Sequence, residues 1–230
     1  MTTVQETLHE IDLTQPRASA LELAPGDVYY ADHALTVDEF YELVDDEDCD
    51  AELIDGVIVV RSPVSDEHED LFGWLYMLIS GFVQAARLGV VRGSRTAVRL
   101  DRYNTRLPDV MFVSARRRRL LGRFDIAAPP DFIAEIVASD SALRRAIARE
   151  AEYGSLGVPE IWRTDIPRQL LTILRLGNGV YTPVFQATRG VASSAKIRGL
   201  QIRAEWLWMP EDKRPAAIQI VGRLLRRLKR

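Results

Sequence analysis

Two acidic residues stand alone among apolar neighbours in this sequence. Asp109 follows Pro108 and opens the run VMFV, and Glu135 is the only charge inside the run FIAEIV. Both runs have the length and the β-branched and aromatic composition of buried strands. Because a carboxylate is costly to bury unless a positive charge meets it, each acid either faces solvent at a strand end or serves a site.

Convergence of these two acids would create a metal site. The connection between their strands is long enough for the strands to be neighbours in one sheet, and adjacent carboxylates repel each other unless a cation lies between them. Oxygen ligands with open water positions suit Mg²⁺ or Mn²⁺, the cations of phosphodiester hydrolysis. The pattern therefore allows a metal-binding pair at Asp109 and Glu135, and the alternative of two solvent-facing acids stays open.

The composition is that of a globular protein. The chain has 230 residues, of which 47% are hydrophobic and 27% charged, so it can bury a core of its own. No apolar run has the length of a membrane span and the first residues lack a secretion signal, which predicts a cytoplasmic protein without membrane contacts. A single cysteine, Cys49, and three widely separated histidines argue against a disulfide framework and a zinc site. No organic cofactor is expected.

Hydrophobic periodicity predicts one mixed α/β domain over residues 35–209. A loosely ordered N-terminal arm (1–34) precedes the domain, and a basic amphipathic helix (210–230) follows it. The predicted elements of the domain are a helix that begins at Thr36 with Glu39 as its capping partner, a hairpin about Asp55-Gly56, a helix over 65–88 that Gly89 ends, one strand over 90–100, the two acid-bearing strands, a short helix over 116–121, a helix through Arg144 and Tyr153, and three strands within 160–186.

Five sequence features come in the order and spacing of a known family. They are ELIDGVIVVRSP, His68 in the helix that follows, LPDVMFVS, AEIVASDS and YGSLGVPEIWRTD. Over residues 36–186 the sequence resembles the Uma-two-type putative restriction endonucleases, a domain of unknown function within the PD-(D/E)XK nuclease superfamily. The resemblance implies a restriction-endonuclease-like core, which is a mixed β-sheet flanked by helices. It also implies an enzyme that hydrolyses DNA in a cleft with Mg²⁺ or Mn²⁺. It also implies Asp109 and Glu135 as metal ligands and Glu52 as a further acid near the metal.

The residues themselves leave the places of Glu52 and His68 open. Glu52 alternates imperfectly with its apolar neighbours, so a surface position is as compatible with the sequence as a place in the site. His68 lies in the first turn of its helix, where it can face solvent, cap the helix or line the cleft. Asp55 is explained by its tight turn rather than by chemistry.

The superfamily's lysine is absent from its usual position. Two residues after Glu135 the chain has Val137, and the resemblance places the family's basic residue on the next helix, at Arg149, four residues before Tyr153. Spacing by four puts Arg145, Arg149 and Tyr153 on one helical face that can reach the cleft. Arginine cannot accept a proton from water, but its planar fork can stabilise negative charge. The protein is therefore either an endonuclease that works with arginine or a catalytically silent module for nucleic-acid binding or protein assembly.

Two basic segments are candidates for contacts with DNA or with a partner chain. The first consists of Arg116, Arg117, Arg118 and Arg119. These arginines either guide DNA phosphates toward the cleft or form a solvated helix face. In the tail, residues 214–230, arginines surround leucines, which predicts that the leucines pack against the domain itself or against a second copy in a homodimer.

Overall fold

The computed structural model describes residues 7–13, 25–44 and 50–228. These residues form a mixed α/β fold in which sheets are flanked by helices, as predicted. The α-helices are α1 (Val37–Val44), α2 (Asp66–Ala85), α3 (Asp140–Leu156) and α4 (Ala217–Leu228), and 3₁₀ turns span Ala115–Leu120, Ala204–Trp208 and Glu211–Lys213. The strands are β1 (Leu8–Glu10), β2 (Val28–Tyr30), β3 (Ala51–Ile54), β4 (Val57–Val60), β5 (Gly89–Gly93), β6 (Ala97–Arg99), β7 (Thr105–Arg106), β8 (Val110–Ser114), β9 (Asp125–Ile126), β10 (Phe132–Val137), β11 (Glu160–Asp165), β12 (Leu170–Gly177), β13 (Val180–Ala187), β14 (Val191–Ser193) and β15 (Gln201–Arg203).

The central sheet has six strands in the order β13-β12-β11-β10-β8-β5. β10 pairs antiparallel with β8, with Ala134 opposite Val110, and parallel with β11. One residue further along this register, Glu135 faces Asp109. The two acid-bearing strands are therefore direct neighbours, as the length of their connection allowed.

Both faces of the central sheet are covered, and the two acids lie on the same face. Val110 and Ala134 belong to the core that α2 and α4 cover, whereas Met111 and Ile133 belong to a second core that includes Tyr153 of α3. Successive residues of a strand point to opposite faces. Asp109 therefore shares the α3 side with Met111, and Glu135 shares it with Ile133.

A second sheet has the order β1-β2-β4-β3 and carries Glu52. The β3–β4 hairpin turns at Asp55 and Gly56, whose φ angles are 51° and 77°, so the prediction of a tight turn is confirmed. β1 and β2 come from the predicted N-terminal arm, which differs from the prediction of a loosely ordered segment. Tyr29 of β2 is buried against the hairpin, and apolar contacts of this kind order the part of the arm that the structure describes. Residues 1–6 and 14–24 of that arm lie outside the described residues.

The segment around Gly89 departs from its prediction in two ways. α2 begins after the capping residue Ser65 and ends at Ala85, earlier than predicted, because Arg87 adopts a φ of 55° that a helix does not allow. Gly89 instead begins β5, where a Cβ would lie 2.1 Å from the carbonyl oxygen of Val113. The single strand predicted over 90–100 is two strands in different sheets, β5 and β6, because the chain turns between them.

The C-terminal helix α4 packs on α2 and is part of the main core. Ile220, Val221 and Leu224 are buried there, so the tail's apolar residues pack against the domain itself, one of the two predicted alternatives. The helix from Thr36 is also confirmed, since Thr36 and Glu39 exchange the hydrogen bonds of a capping box. Within the described part of the chain, no helix is both long enough and apolar enough to cross a membrane.

Candidate active site

A cleft of about 560 Å³ lies where the β3–β4 hairpin meets the ends of β8 and β10. The N-termini of α2 and α3 also open into it, through their capping residues Ser65 and Ser139. The ionisable side chains of the lining are Glu52, Arg61, His68, Arg106, Asp109, Glu135, Arg145, Arg149 and Glu152. The cleft therefore gathers acids and arginines from four separate parts of the sequence.

Asp109 lies at the base of the cleft and is only 3% exposed. Its Oδ2 accepts a hydrogen bond of 2.7 Å from the backbone N–H of Ile136, which fixes the carboxylate beside β10. Its Oδ1 lies 3.7 Å from the guanidinium of Arg61, too far for a hydrogen bond, and the described residues offer that oxygen no closer donor. One oxygen of Asp109 is thus held and the other is available to a ligand.

Glu135 shows the same division between a held and an available oxygen. Its Oε1 accepts a hydrogen bond of 2.9 Å from the hydroxyl of Tyr153, and its Oε2 lies 3.8 Å from the guanidinium of Arg149. Burial raises the pKa of Glu135 to about 7; Arg149 opposes this rise and Asp109 adds to it. A carboxyl with this pKa exchanges its proton readily for a metal ion near neutral pH.

Glu52 and Arg149 form a buried ion pair across the cleft. Arg149 donates to both carboxylate oxygens of Glu52, at 2.9 and 2.8 Å, and Leu107 N–H donates to Oε1 at 2.8 Å. Glu52 is 3% exposed, so the surface position that its sequence pattern allowed is wrong. Burial disfavours the charged guanidinium, but Glu135 and Glu52 outweigh this effect and raise the pKa of Arg149 above its ordinary value. Arg149 therefore carries a permanent positive charge and cannot act as a base.

His68 lines the cleft and is 8% exposed, so solvent exposure, one of the alternatives left open, is wrong. Its Nε2 lies 3.4 Å from Oδ2 of Asp109, and its backbone N–H donates to the hydroxyl of the capping residue Ser65. Its Nδ1 is buried and has no hydrogen-bond partner among the described residues. His68 is thus a neighbour of Asp109, and its side chain does not cap the helix.

Two arginines of the cleft were missed at the level of sequence. Arg106 is buried, forms a two-pronged ion pair with Glu152 at 2.7 and 2.8 Å, and donates to the carbonyl of Leu53. Arg61 comes from the end of β4 and lies beside Asp109. Arg106 belongs to the motif RLPDV together with Asp109, and Arg61 belongs to ELIDGVIVVRSP together with Glu52. This shared membership was the available signal.

The structure does not bring the arginine run to the cleft. Arg116 to Arg119 lie in the 3₁₀ turn that follows β8, at the opposite end of this strand from Asp109. Arg117 is paired with Asp131 at 3.0 Å, and its three neighbours are exposed. These arginines therefore cannot guide phosphates directly to the acids, and the tail helix α4 does not line the cleft either.

The donor set of the cleft fits a divalent cation that prefers oxygen. Asp109 Oδ1 and Glu135 Oε2, from adjacent strands, are the two carboxylate oxygens without a hydrogen bond from the described residues around them. No group of three or more histidine, cysteine or acidic side chains within residues 7–13, 25–44 and 50–228 is arranged to hold a metal ion. A cation held here would complete its coordination with water and substrate oxygens, as Mg²⁺ does.

Comparison with known proteins gives first the fold and then the family. The fold is similar to that of a solved structure, the crystal structure of a putative nuclease belonging to DUF820 from Anabaena variabilis ATCC 29413. The TM-score is 0.57 and the identity 18%, and the match covers 76% of this chain and 97% of that chain. The sequence model of the Uma2 family, described as putative restriction endonuclease, matches residues 37–205. The chain therefore belongs to this family, as the motifs indicated, and family membership supports a nuclease-type function. A search of curated proteins found no match.

Proposed function

We propose that this protein is a metal-dependent endonuclease that hydrolyses DNA phosphodiester bonds in the cleft between the β3–β4 hairpin and the ends of β8 and β10. The observation that carries the proposal is the pairing of Asp109 with Glu135 on adjacent strands. Each of these buried carboxylates keeps one oxygen free of hydrogen bonds from the residues that the structure describes. Two such carboxylates form the inner part of a Mg²⁺ or Mn²⁺ site.

Positive charge around the acids supports a phosphodiester as the substrate. Arg61 and Arg145 line the cleft, and Arg145 is exposed and forms no ion pair among the described residues. The N-termini of α2 and α3 add the partial positive charge of two helix dipoles. Together they offer a backbone phosphate several donors without any base-specific contact.

In this proposal, the side chains of the cleft have different roles in hydrolysis. A bound Mg²⁺ or Mn²⁺ would polarise the phosphoryl oxygen and lower the pKa of a bound water molecule. Asp109 and Glu135 would hold the ion, and Tyr153 orients Glu135 through its hydrogen bond. Arg149, which Glu52 holds in place, contributes fixed positive charge next to the developing negative charge and takes no proton. Proton acceptance therefore falls to another group or to solvent.

One observation favours the second candidate, a catalytically silent nuclease-fold module for nucleic-acid binding or protein assembly. The charge of Arg149 is already balanced by Glu52, since one guanidinium nitrogen, Nη2, donates to both carboxylate oxygens. A basic residue neutralised in this way stabilises a transition state less than a free lysine does. In the silent module, the same ion pair serves to hold the β3–β4 hairpin against α3.

The metal site is tested by thermal unfolding in the presence of Mn²⁺ or Mg²⁺. Binding to the folded protein should raise the melting temperature by mass action. Asp109→Asn and Glu135→Gln should each abolish the rise, and Glu211→Gln, a change on an exposed turn, should preserve it. A rise that persists in both cleft variants would place the ion elsewhere.

Substitution of Arg149 by lysine distinguishes the two candidate functions. A lysine can release and accept a proton, so Arg149→Lys should raise Mn²⁺-dependent DNA cleavage, or create it, with the metal-induced thermal shift nearly unchanged. Loss of a measurable wild-type cleavage in Arg149→Ala would show that arginine has the stabilising role. If wild type and Arg149→Lys both bind metal and neither cleaves, the silent module is the correct function.

A further inference from the structure

Three stretches of the sequence carry positive charge and no acid. Residues 71–100, 110–124 and 213–230 contain no aspartate or glutamate, and they hold four, five and seven lysines and arginines. The whole chain has a formal net charge of −3, so this positive charge is concentrated locally. The tertiary structure decides whether the three stretches act separately or together.

Two of the stretches meet at the end of α2 that is remote from the cleft. α2 begins at the cleft beside Ser65 and, with 20 residues, extends for about 30 Å. Arg87 follows its last turn, and the carbonyl of the next residue, Leu88, accepts a hydrogen bond of 2.9 Å from Ala115 N–H. This hydrogen bond places the 3₁₀ turn that carries Arg116 to Arg119 beside the end of α2.

The third stretch reaches the same end because α4 runs parallel to α2. Near their beginnings, Arg214 pairs with Asp70 at 2.8 Å, and further along Val221 lies beside Gly81. Near their ends, Leu228 of α4 and Phe82 of α2 share Gly199 as a neighbour. Both side chains lie within 3.4 Å of the position that a Cβ on Gly199 would take. The last turn of α4 is therefore next to the last turns of α2.

The arginines of these segments near the distal end of α2 are exposed, and among the described residues they have no acidic partner, unlike Arg106 and Arg149 of the cleft. We call them the distal basic surface: Arg87, Arg116, Arg118, Arg119, Arg223, Arg226 and Arg227. None of them forms a salt bridge within the part of the chain that the structure describes, whereas Arg106 and Arg149 of the cleft are bound by Glu152 and Glu52. Unpaired arginines on one surface attract a polyanion, because each can give a phosphate two hydrogen bonds.

We propose that the distal basic surface binds the phosphate backbone of duplex DNA as an anchoring contact separate from the cleft. Because its guanidinium groups are proposed to contact backbone phosphates, which carry no sequence information, this contact is independent of sequence. The choice of DNA as the polyanion rests on the proposed function, whereas the surface itself does not. The contact raises the residence time of the protein on DNA and takes no part in hydrolysis.

An anionic membrane is the other large polyanion, and α4 argues against it. A helix that lies on a membrane inserts its apolar face into the lipid. The apolar face of α4, with Ile220, Val221 and Leu224, is buried against α2 and is not available to lipid. The exposed part of the helix is its arginine face, which suits an aqueous polyanion.

The test measures DNA binding without hydrolysis. In EDTA, a fluorescent duplex of about 20 base pairs is titrated with the protein at several salt concentrations. A variant with serine at 116, 118, 119, 223, 226 and 227 should bind at least about tenfold more weakly near 0.1 M salt, and its slope of log K against log salt should fall by about 2 or more, since fewer counterions are released. The control Arg102→Ser/Arg189→Ser/Arg203→Ser, which changes exposed arginines elsewhere, should alter binding by less than about threefold.

Three outcomes overturn the inference. They are an unchanged affinity and slope in the six-serine variant, an equal loss in the control, and binding of wild type to phosphatidylserine vesicles with no binding to DNA. The result stays distinguishable from a failure of the proposed function, because binding in EDTA needs neither the metal nor cleavage.

Discussion

Replacement of Glu135 by glutamine is expected to stabilise the protein relative to wild type as the pH rises. Burial raises the pKa of this carboxyl from 4.5 to about 7, an effect that Arg149 opposes and Asp109 strengthens. The folded state therefore holds a proton that the unfolded state releases between about pH 4.5 and pH 7, and wild type loses stability as the pH rises through this window. Glutamine has no such proton to lose.

The size of the effect follows from the pKa of the buried carboxyl. One pKa unit corresponds to about 1.4 kcal/mol, so the whole change from 4.5 to about 7 amounts to roughly 3 kcal/mol. About 2 kcal/mol of this falls between pH 5 and pH 8, because the unfolded carboxyl is already partly ionised at pH 5. A constant contribution from the lost contacts of Glu135 cancels when the two pH values are compared.

The assay is urea unfolding of wild type and Glu135→Gln in EDTA at about pH 5 and about pH 8. The free energy of unfolding of the variant minus that of wild type should be about 2 kcal/mol larger at pH 8 than at pH 5. For the control Glu211→Gln, the same difference should not depend on pH. Mn²⁺ should bind wild type more tightly as the pH rises toward 7, since the metal requires the ionised carboxylate. Parallel stability curves for wild type and variant would refute the burial of an ionisable group at this position.

Three further predictions follow from individual contacts. Tyr153→Phe removes the hydrogen bond to Glu135 and should weaken Mn²⁺ binding near neutral pH while the fold is retained; unchanged binding would contradict the positioning role of the hydroxyl. Thr36→Ala removes the cap of α1 and should lower the free energy of unfolding by about 1 kcal/mol in urea titrations, and no change would show that the cap is dispensable. Leu224→Ala should lower the free energy of unfolding by roughly 2–5 kcal/mol, because the leucine side chain is buried against α2. Arg223→Ser, at the exposed neighbouring position, should leave the free energy of unfolding almost unchanged. Equal effects of the two substitutions would mean that α4 does not belong to the core.

Much of the local structure could be predicted from sequence because it depends on neighbours in the chain. The capping box at Thr36 and the turn at Asp55 follow from side chains three or fewer residues apart, and both are present in the structure. The strand of Glu135 was recognisable from five apolar residues interrupted by one charge, and all six residues are buried. The strands of the N-terminal arm were missed, since β1 and β2 are three residues each and are stabilised by a sheet formed elsewhere.

The sequence by itself determined the two acids and the strands that carry them, because an isolated charge in an apolar run is visible without any partner. Only the tertiary structure decided which charges meet. Arg149 and Glu52 are 97 positions apart, and their ion pair exists because α3 and the β3–β4 hairpin close the same cleft. The basic run after β8 is near Asp109 in sequence and remote from it in space, since an extended strand carries its two ends to opposite sides of the sheet. Electrostatic interactions depend on distance in space, so the roles of the arginines could be assigned only after the strands and helices were packed.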